Sequence, residues 1–301
     1  MSKLDDPQRS RTGGQLTVDN KSMPDDKVPR NSGWRLFIQT ILARSYPRIV
    51  GQMRETSWLL FDIIMPLGAT IGYVLVYKAL NAAPEYIGFV VMGGAMMAFW
   101  MNVLWGMSSQ LYWEKETGNL ALYIIAPNSM IAILLGMALG GMTSTLLKSI
   151  VIIVVGSWIF NVHYVVVDPL LLFSVFALSM TALYGMGMMF ASVFLLFGRE
   201  AWAVSDLVTE PVNLVSGLYF PIKSLPFWVA AAASVIPLTL GLDAMRQLVF
   251  ASGLSLGFLS PAVEIGILAG LCVFFLVGAK LLLDYTEKKA VREGRLTEAR
   301  R

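Results

Sequence analysis

The side chains that could make or break bonds are few in this 301-residue chain. It holds one histidine, His163, and one cysteine, Cys272. A metal centre built on clustered His and Cys ligands is therefore excluded, as is an intrachain disulfide. No Ser-His-Asp arrangement and no pair of carboxylates spaced for glycoside cleavage stands out. A phosphate cradle needs Gly-x-x-x-x-Gly-Lys-Ser/Thr, and the nearest stretch, Gly140-Gly141-Met142-Thr143, lacks the lysine. No basic stripe interleaved with aromatics points to nucleic acid. What remains are isolated polar groups inside apolar runs, and one charged loop. Glu210 precedes Pro211, which frees a backbone carbonyl, and Asn213 follows one helical turn on. Asn102 sits amid Phe99, Trp100 and Trp105. The loop carries Glu114, Lys115 and Glu116.

The elements that hold them are membrane helices. The chain is 56% hydrophobic and 14% charged, against roughly 25% charge in soluble domains. Ten of its 23 Lys and Arg residues precede residue 57 and six follow residue 285. That segregation places both ends on the cytoplasmic side of a cell membrane, plasma or inner, beside its anionic leaflet. About 20 apolar residues span a bilayer, and the candidates are 58–80, 86–108, 131–158, 169–197, 203–221 and 261–284. Two further apolar segments, 225–236 and 238–250, are too short to cross and are joined at Pro237, which reads as an extracellular re-entrant hairpin. A seventh crossing would put one basic terminus outside, so six is the expected number. Residues 34–53 alternate Trp34, Phe37, Ile38, Ile41 and Leu42 with Arg35, Gln39, Arg44, Arg48 and Gln52 at helical spacing, which predicts an amphipathic helix in the headgroup plane. The fold class is thus all-α and integral to the membrane. It divides into a disordered cytoplasmic tail over 1–32, an interfacial helix over 33–56, a six-span domain over 57–285 and a basic tail over 286–301.

Glu114 and Glu116 are acidic where the positive-inside rule favours Lys or Arg. They read either as an ordinary solvated loop or as partners for a basic group, on another protein or within the chain at Arg44, Arg48 or Arg54. Gly118, the amphipathic turn through Leu120, Leu122 and Tyr123, and Pro127 bound a short helix at the membrane surface. Asp62, Lys148, Glu264 and Lys280 lie near span ends and can snorkel. Glu210 is deeper, about 12 Å along a helix axis, and reads either as part of a pathway or subunit interface or as a structural hydrogen-bonding group. The aromatic and Met side chains around Asn102 suit an adaptable pocket or plain helix packing. Gly93-Gly94 and Gly185-Met186-Gly187 suit close helix contact.

Two segments carry a family resemblance. Trp113-Glu114-Lys115-Glu116-Thr117-Gly118-Asn119-Leu120, running to Pro127-Asn128-Ser129, resembles the E-x-E-x-G-x-L…P-x-S coupling segment of ABC exporter permeases of the second type, which include daunorubicin-type drug exporters and sodium-exporter permeases. Ser216-Gly217-Leu218-Tyr219-Phe220-Pro221, Leu225-Pro226, Trp228, Pro237-Leu238-Thr239 and Arg246 are similar to that family's S-G-x-x-F-P…L-P-x-W…N-P-L-T…R signature. Asn119 and Ile236 depart from the pattern, where Thr and Asn are common. The resemblance implies a permease that moves a hydrophobic or amphipathic cargo such as a drug or lipid outward. It implies a separate ATPase subunit carrying the ATP and Mg, no cofactor on this chain, and pairing with a second permease copy or paralogue. It further implies that Glu114, Lys115, Glu116, Gly118, Leu120, Arg44 and Arg48 couple to the ATPase. Asn102, Phe99, Glu210, Asn213, Tyr219 and Phe220 are implied to border the pathway or dimer interface. A permease for polysaccharide or lipid-linked glycan, and an ion-coupled secondary transporter, are the alternatives. The first usually lacks the acidic loop signature, and the second needs more mid-depth ionisable groups than Glu210.

Overall fold

The structure is a computed structural model that describes residues 33–125, 129–197, 200–250 and 256–292. The polar N-terminal segment, Ala126-Pro127-Asn128 and the end of the basic tail lie outside the described residues. Among those residues every regular element is helical. In chain order they are α1 (Gly33–Arg54), α2 (Thr56–Ala79), α3 (Pro84–Met101), a π-helical turn (Asn102–Met107), α4 (Gln110–Glu116), α5 (Asn119–Ile125), α6 (Met130–Phe160), α7 (Pro169–Phe197), α8 (Glu200–Val215), a 3-10 turn (Ile222–Ser224), α9 (Phe227–Ala233), α10 (Pro237–Val249) and α11 (Pro261–Arg292).

Five helices are long and apolar enough to cross a bilayer: α2, the run from α3 through α4, α6, α7 and α11. The protein is therefore a multi-pass membrane protein. The expected fifth span, 203–221, is helical only to Val215. At 16 residues α8 is about 24 Å long, short of a hydrocarbon core of roughly 30 Å. Helix α9 turns into α10 through a bend of 107°, at the proline that the apolar pattern marked. The expected end of the last span, at 284, is passed: α11 stays helical to Arg292, so part of the basic tail extends the helix.

Local chemistry sets the boundaries. Pro84 starts α3 in its first turn, where a missing N–H costs nothing. Asn161 closes α6 in the left-handed conformation, with φ of 55°. The core lies where α3 meets α6 and α7, and Phe99, Trp100, Val103 and Leu183 are 1% exposed or less. Glycines set how closely these helices approach. A Cβ on Gly136 would sit 2.6 Å from the Ile41 carbonyl oxygen, and one on Gly140 would sit 2.8 Å from that of Ser45. Helix α1 thus lies along the first part of α6, backbone against backbone. At Gly93 a Cβ would meet the Leu218 carbonyl oxygen at 1.6 Å, so the approach of α3 to the loop after α8 requires glycine at that position.

The predicted N-terminal helix is present as α1, and the structure adds which side meets protein. Its buried residues are Thr40 and Ser45, against α6. Trp34, Ile38, Leu42 and Tyr46, spaced by four, point away from the protein and are 40–70% exposed.

Candidate functional site: a latched loop beside a two-part cavity

Helices α4 and α5 have seven residues each, too short to persist unaided. Gly118 joins them with φ of +79°, a conformation that side chains disfavour. Leu120 anchors α5 in the core at 0% exposure. Between these anchors Glu114 is the hub. Its Oε1 accepts from Arg44 Nη2 at 2.7 Å and Gln110 Nε2 at 3.3 Å. Its Oε2 accepts from Asn119 Nδ2 at 3.0 Å and the Tyr123 hydroxyl at 2.9 Å. The Glu114 side chain is 9% exposed and that of Arg44 27%, so the ion pair is largely shielded. The Arg44 guanidinium also lies 4.8 Å from the centre of the Tyr123 ring. Burial first, and the hydrogen bond to Glu114 second, push the Tyr123 hydroxyl up to about 12 from its ordinary value near 10.

One turn along α1, Arg48 extends the same seam. It donates to Gln110 Oε1 and, at 3.1 Å, to the Gly106 carbonyl in the π-helical turn. Desolvation lowers the Arg48 pKa from its usual high value. The acidic loop is thus bound by the chain's own amphipathic helix, and Arg44 is the partner among the three arginines considered. Arg54 is exposed at the end of α1. Lys115 is half-buried, and Glu116 and Gly118 are exposed beside the latch. The loop therefore has a tethered side, Glu114 and Leu120, and a free side, Glu116 and Gly118.

A second constellation organises the opposite end of the helices. Arg246 on α10 is 2% exposed, and its guanidinium donates to the carbonyls of Gly217 at 2.5 Å, Leu218 at 2.7 Å, Phe220 at 3.3 Å and Phe89 at 2.7 Å. Gly217, with φ of +72°, turns those carbonyls inward. The separated motif segments at 216–221 and 246 are one structural unit. Spacing alone held no signal for that, since the two lie almost thirty residues apart.

The six residues implied for a pathway or interface are not brought together. Phe99 is 1% exposed and packs edge-on against Phe176 at 5.7 Å. Asn102 accepts from the Tyr184 hydroxyl at 2.9 Å, and with Tyr219 it lines a cavity of about 680 Å³ between α2, α3 and α6. Tyr219 also stacks on Tyr73 with ring centres 3.9 Å apart. Phe220 is half-buried. Glu210 is exposed on α8, on one face with Leu207 and Leu214, which are 75% and 67% exposed. Asn213 is half-buried, and its Oδ1 has no partner among the described residues. Sequence reading missed one pair altogether: Asp62 and Lys148, each taken as a snorkelling end, meet across the cavity at 2.6 Å. Their separation of 86 residues gave no hint of it.

Compared with known proteins, the chain matches the family model described as ABC-2 type transporter over residues 37–250. No curated protein matches it. The matched region runs from α1 to the end of α10, and so takes in both the Glu114 latch and the Arg246 unit.

Proposed function

The chain belongs to the ABC-2 type transporter family, and from that premise we propose that it is the permease half of an exporter driven by a separate ATPase subunit. The observation that carries this reading is the Glu114 latch. A carboxylate holding four donors from α1, α4 and α5 makes the loop and the amphipathic helix one mechanical piece. A force applied to the free side of the loop, at Glu116 and Gly118 with the half-buried Lys115 beside them, reaches α1 through Arg44 and the π-helical turn after α3 through Arg48. Leu120 is the fulcrum. Nucleotide-driven movement of a docked ATPase is the natural source of that force, because the sequence has no phosphate-binding loop.

In this reading α1 lies at the cytoplasmic surface, with its Trp34–Tyr46 stripe in the lipid, and both termini are cytoplasmic. The short α8 completes a sixth crossing, and α9–α10 form an outer re-entrant hairpin braced by Arg246. The chain works as a dimer with a second copy or a paralogue in a plasma or inner membrane. Glu210, with Leu207 and Leu214, lies on a face of α8 left exposed among the described residues, which supports a place at the subunit interface or path. Asn102, Asn213, Tyr219 and Phe220 border the same route, with Phe99 backing them. The cargo is hydrophobic or amphipathic. The test is co-purification of the chain with a candidate ATPase, followed by hydrolysis with and without apolar cargo. Wild type retains the ATPase and shows cargo-stimulated turnover. Gly118→Pro, which cannot adopt a φ of +79°, and Glu116→Ala uncouple turnover from transport. Coupled transport intact in both variants would sink the assignment.

A further inference from the structure

The cavity between α2, α3 and α6 has an unusual partition of chemistry. Its body is apolar and soft, walled by Phe61, Met65, Met97 and Met101, and runs from Met97 near the end of α3 to Gly106 in the π-helical turn. At the end where α1 meets α2 it adjoins a second, polar space of about 430 Å³, and the two share Gln52, Trp58, Asp62 and Lys148. A volume of about 680 Å³ is that of a site for a small molecule, not a packing flaw.

The charges of the polar end are unequally available. Both cations are engaged and sheltered: Lys148 is 5% exposed and bound to Asp62, and Arg48 is held by Gln110 and the Gly106 carbonyl. The carboxylates face outward. The Asp62 side chain keeps 48% of its surface accessible. Glu55 is exposed at the head of α2 and lines the polar space; its backbone carbonyl accepts from Leu59 N–H at 3.0 Å, while its carboxylate makes no hydrogen bond or ion pair among the described residues. Beside them Trp58 is 65% exposed, presenting an indole face of the kind that attracts cations. An incoming molecule thus meets accessible negative charge and an aromatic wall at one end and a soft apolar slot at the other.

We propose that this chamber and groove form a binding site, contained within one subunit, for an amphiphile with a cationic head and an apolar body. The head lies between Glu55, Asp62 and Trp58, and the body lies along Met65, Met97 and Met101. This rests on the reading of an amphipathic cargo given above, and adds the location and the sign of the head. The same chemistry is offered by a soluble long-chain quaternary ammonium and by the amine head of an ethanolamine phospholipid.

The test uses the full chain in lipid nanodiscs without any ATPase. A nitroxide-bearing hexadecyl quaternary ammonium is titrated while tryptophan fluorescence is read, because Trp58 and Trp105 line the site. An alkyl sulfate of equal length with the same nitroxide is the counter-probe. The cationic probe is expected to quench saturably and the sulfate weakly. Glu55→Gln, at an exposed position, should weaken the cationic probe about fivefold and leave the sulfate unchanged. Met101→Trp, which fills the slot, should weaken it about tenfold while elution as a monodisperse particle reports intact folding. Nanodiscs with and without ethanolamine phospholipid separate the sources: competition assigns the site to bilayer lipid, and its absence assigns it to the soluble amphiphile. Equal binding of both probes, or cationic binding indifferent to Glu55→Gln and Met101→Trp, overturns the proposal. Since binding is read without turnover, failure of cargo-stimulated hydrolysis would strike the exporter reading and leave this site standing.

Discussion

Replacing Glu114 by Gln keeps the shape of the side chain and removes its charge. The variant should unlatch the loop without unfolding the bundle. An exposed ion pair is worth about 0–1 kcal/mol, while breaking a buried one costs about 3–5 kcal/mol. With the Glu114 side chain 9% exposed and that of Arg44 27%, the Glu114–Arg44 pair lies between these limits. Gln also supplies one acceptor where the carboxylate offered two oxygens to four donors, so at least one donor among Arg44, Gln110, Asn119 and Tyr123 is left unmatched. A cost of about 2 kcal/mol follows for holding α4 and α5 in place. Helices of seven residues have little stability of their own, so that energy appears directly as local opening. At about 1.4 kcal/mol per factor of ten, amide exchange over 110–125 should accelerate about 30-fold. Exchange in α7 and the core of α3 should stay unchanged. Arg44→Gln should give a similar acceleration, and the double variant much less than the product, since both remove one interaction. Unchanged exchange over 110–125, or strictly multiplicative effects in the double variant, would refute the view that this ion pair binds the loop to α1.

The Tyr123 hydroxyl should titrate near pH 12, read as the phenolate absorbance that Tyr123→Phe removes. Because its folded pKa lies above the unfolded value near 10, the latch is fully held below pH 10 and weakens as pH rises toward 12, seen as faster cleavage at Lys115. Gly136→Leu, whose Cβ would meet the Ile41 carbonyl at 2.6 Å, should displace α1 and cost about 1–3 kcal/mol, detected as protease cleavage at Arg44 and Arg48. Arg246→Lys loses the planar fork that serves four carbonyls and should lower thermal stability by about 2–4 kcal/mol, with exchange rising first at 216–221. Asp62→Asn leaves Lys148 buried without its ion partner and should lower yield and stability, and Asp62→Asn with Lys148→Met should recover much of the loss in detergent-solubilised thermal assays.

Much of the helical plan was legible because apolar length and proline positions act locally. Pro84, Pro169, Pro237 and Pro261 each open a helix where the apolar pattern changes. The exception is α8, where sixteen residues stand in place of the nineteen that the apolar run suggested. Ser216–Pro221 leave the helix, and the carbonyls of Gly217, Leu218 and Phe220 turn to Arg246. A local pattern has no knowledge of a guanidinium that arrives from residue 246.

The candidate site divides in the same way. The sequence by itself determined that this is a membrane protein, that a helix with basic residues on one side precedes its spans, and that an acidic loop departs from the charge rule. Composition and periodicity are properties of contiguous residues and survive without a fold. Only the tertiary structure decided that Arg44 takes Glu114, that Lys148 takes Asp62, and that the apolar stripe of α1 faces away from the protein. Each of these is a pairing across 70 or 86 residues, or a choice between two faces of one helix. Such choices are made by helix approach, set here by Gly136 and Gly140 letting α1 lie backbone to backbone on α6. The acidic loop that the charge rule marked as an exception becomes, once the helices pack, the buried counter-charge of the helix beside it.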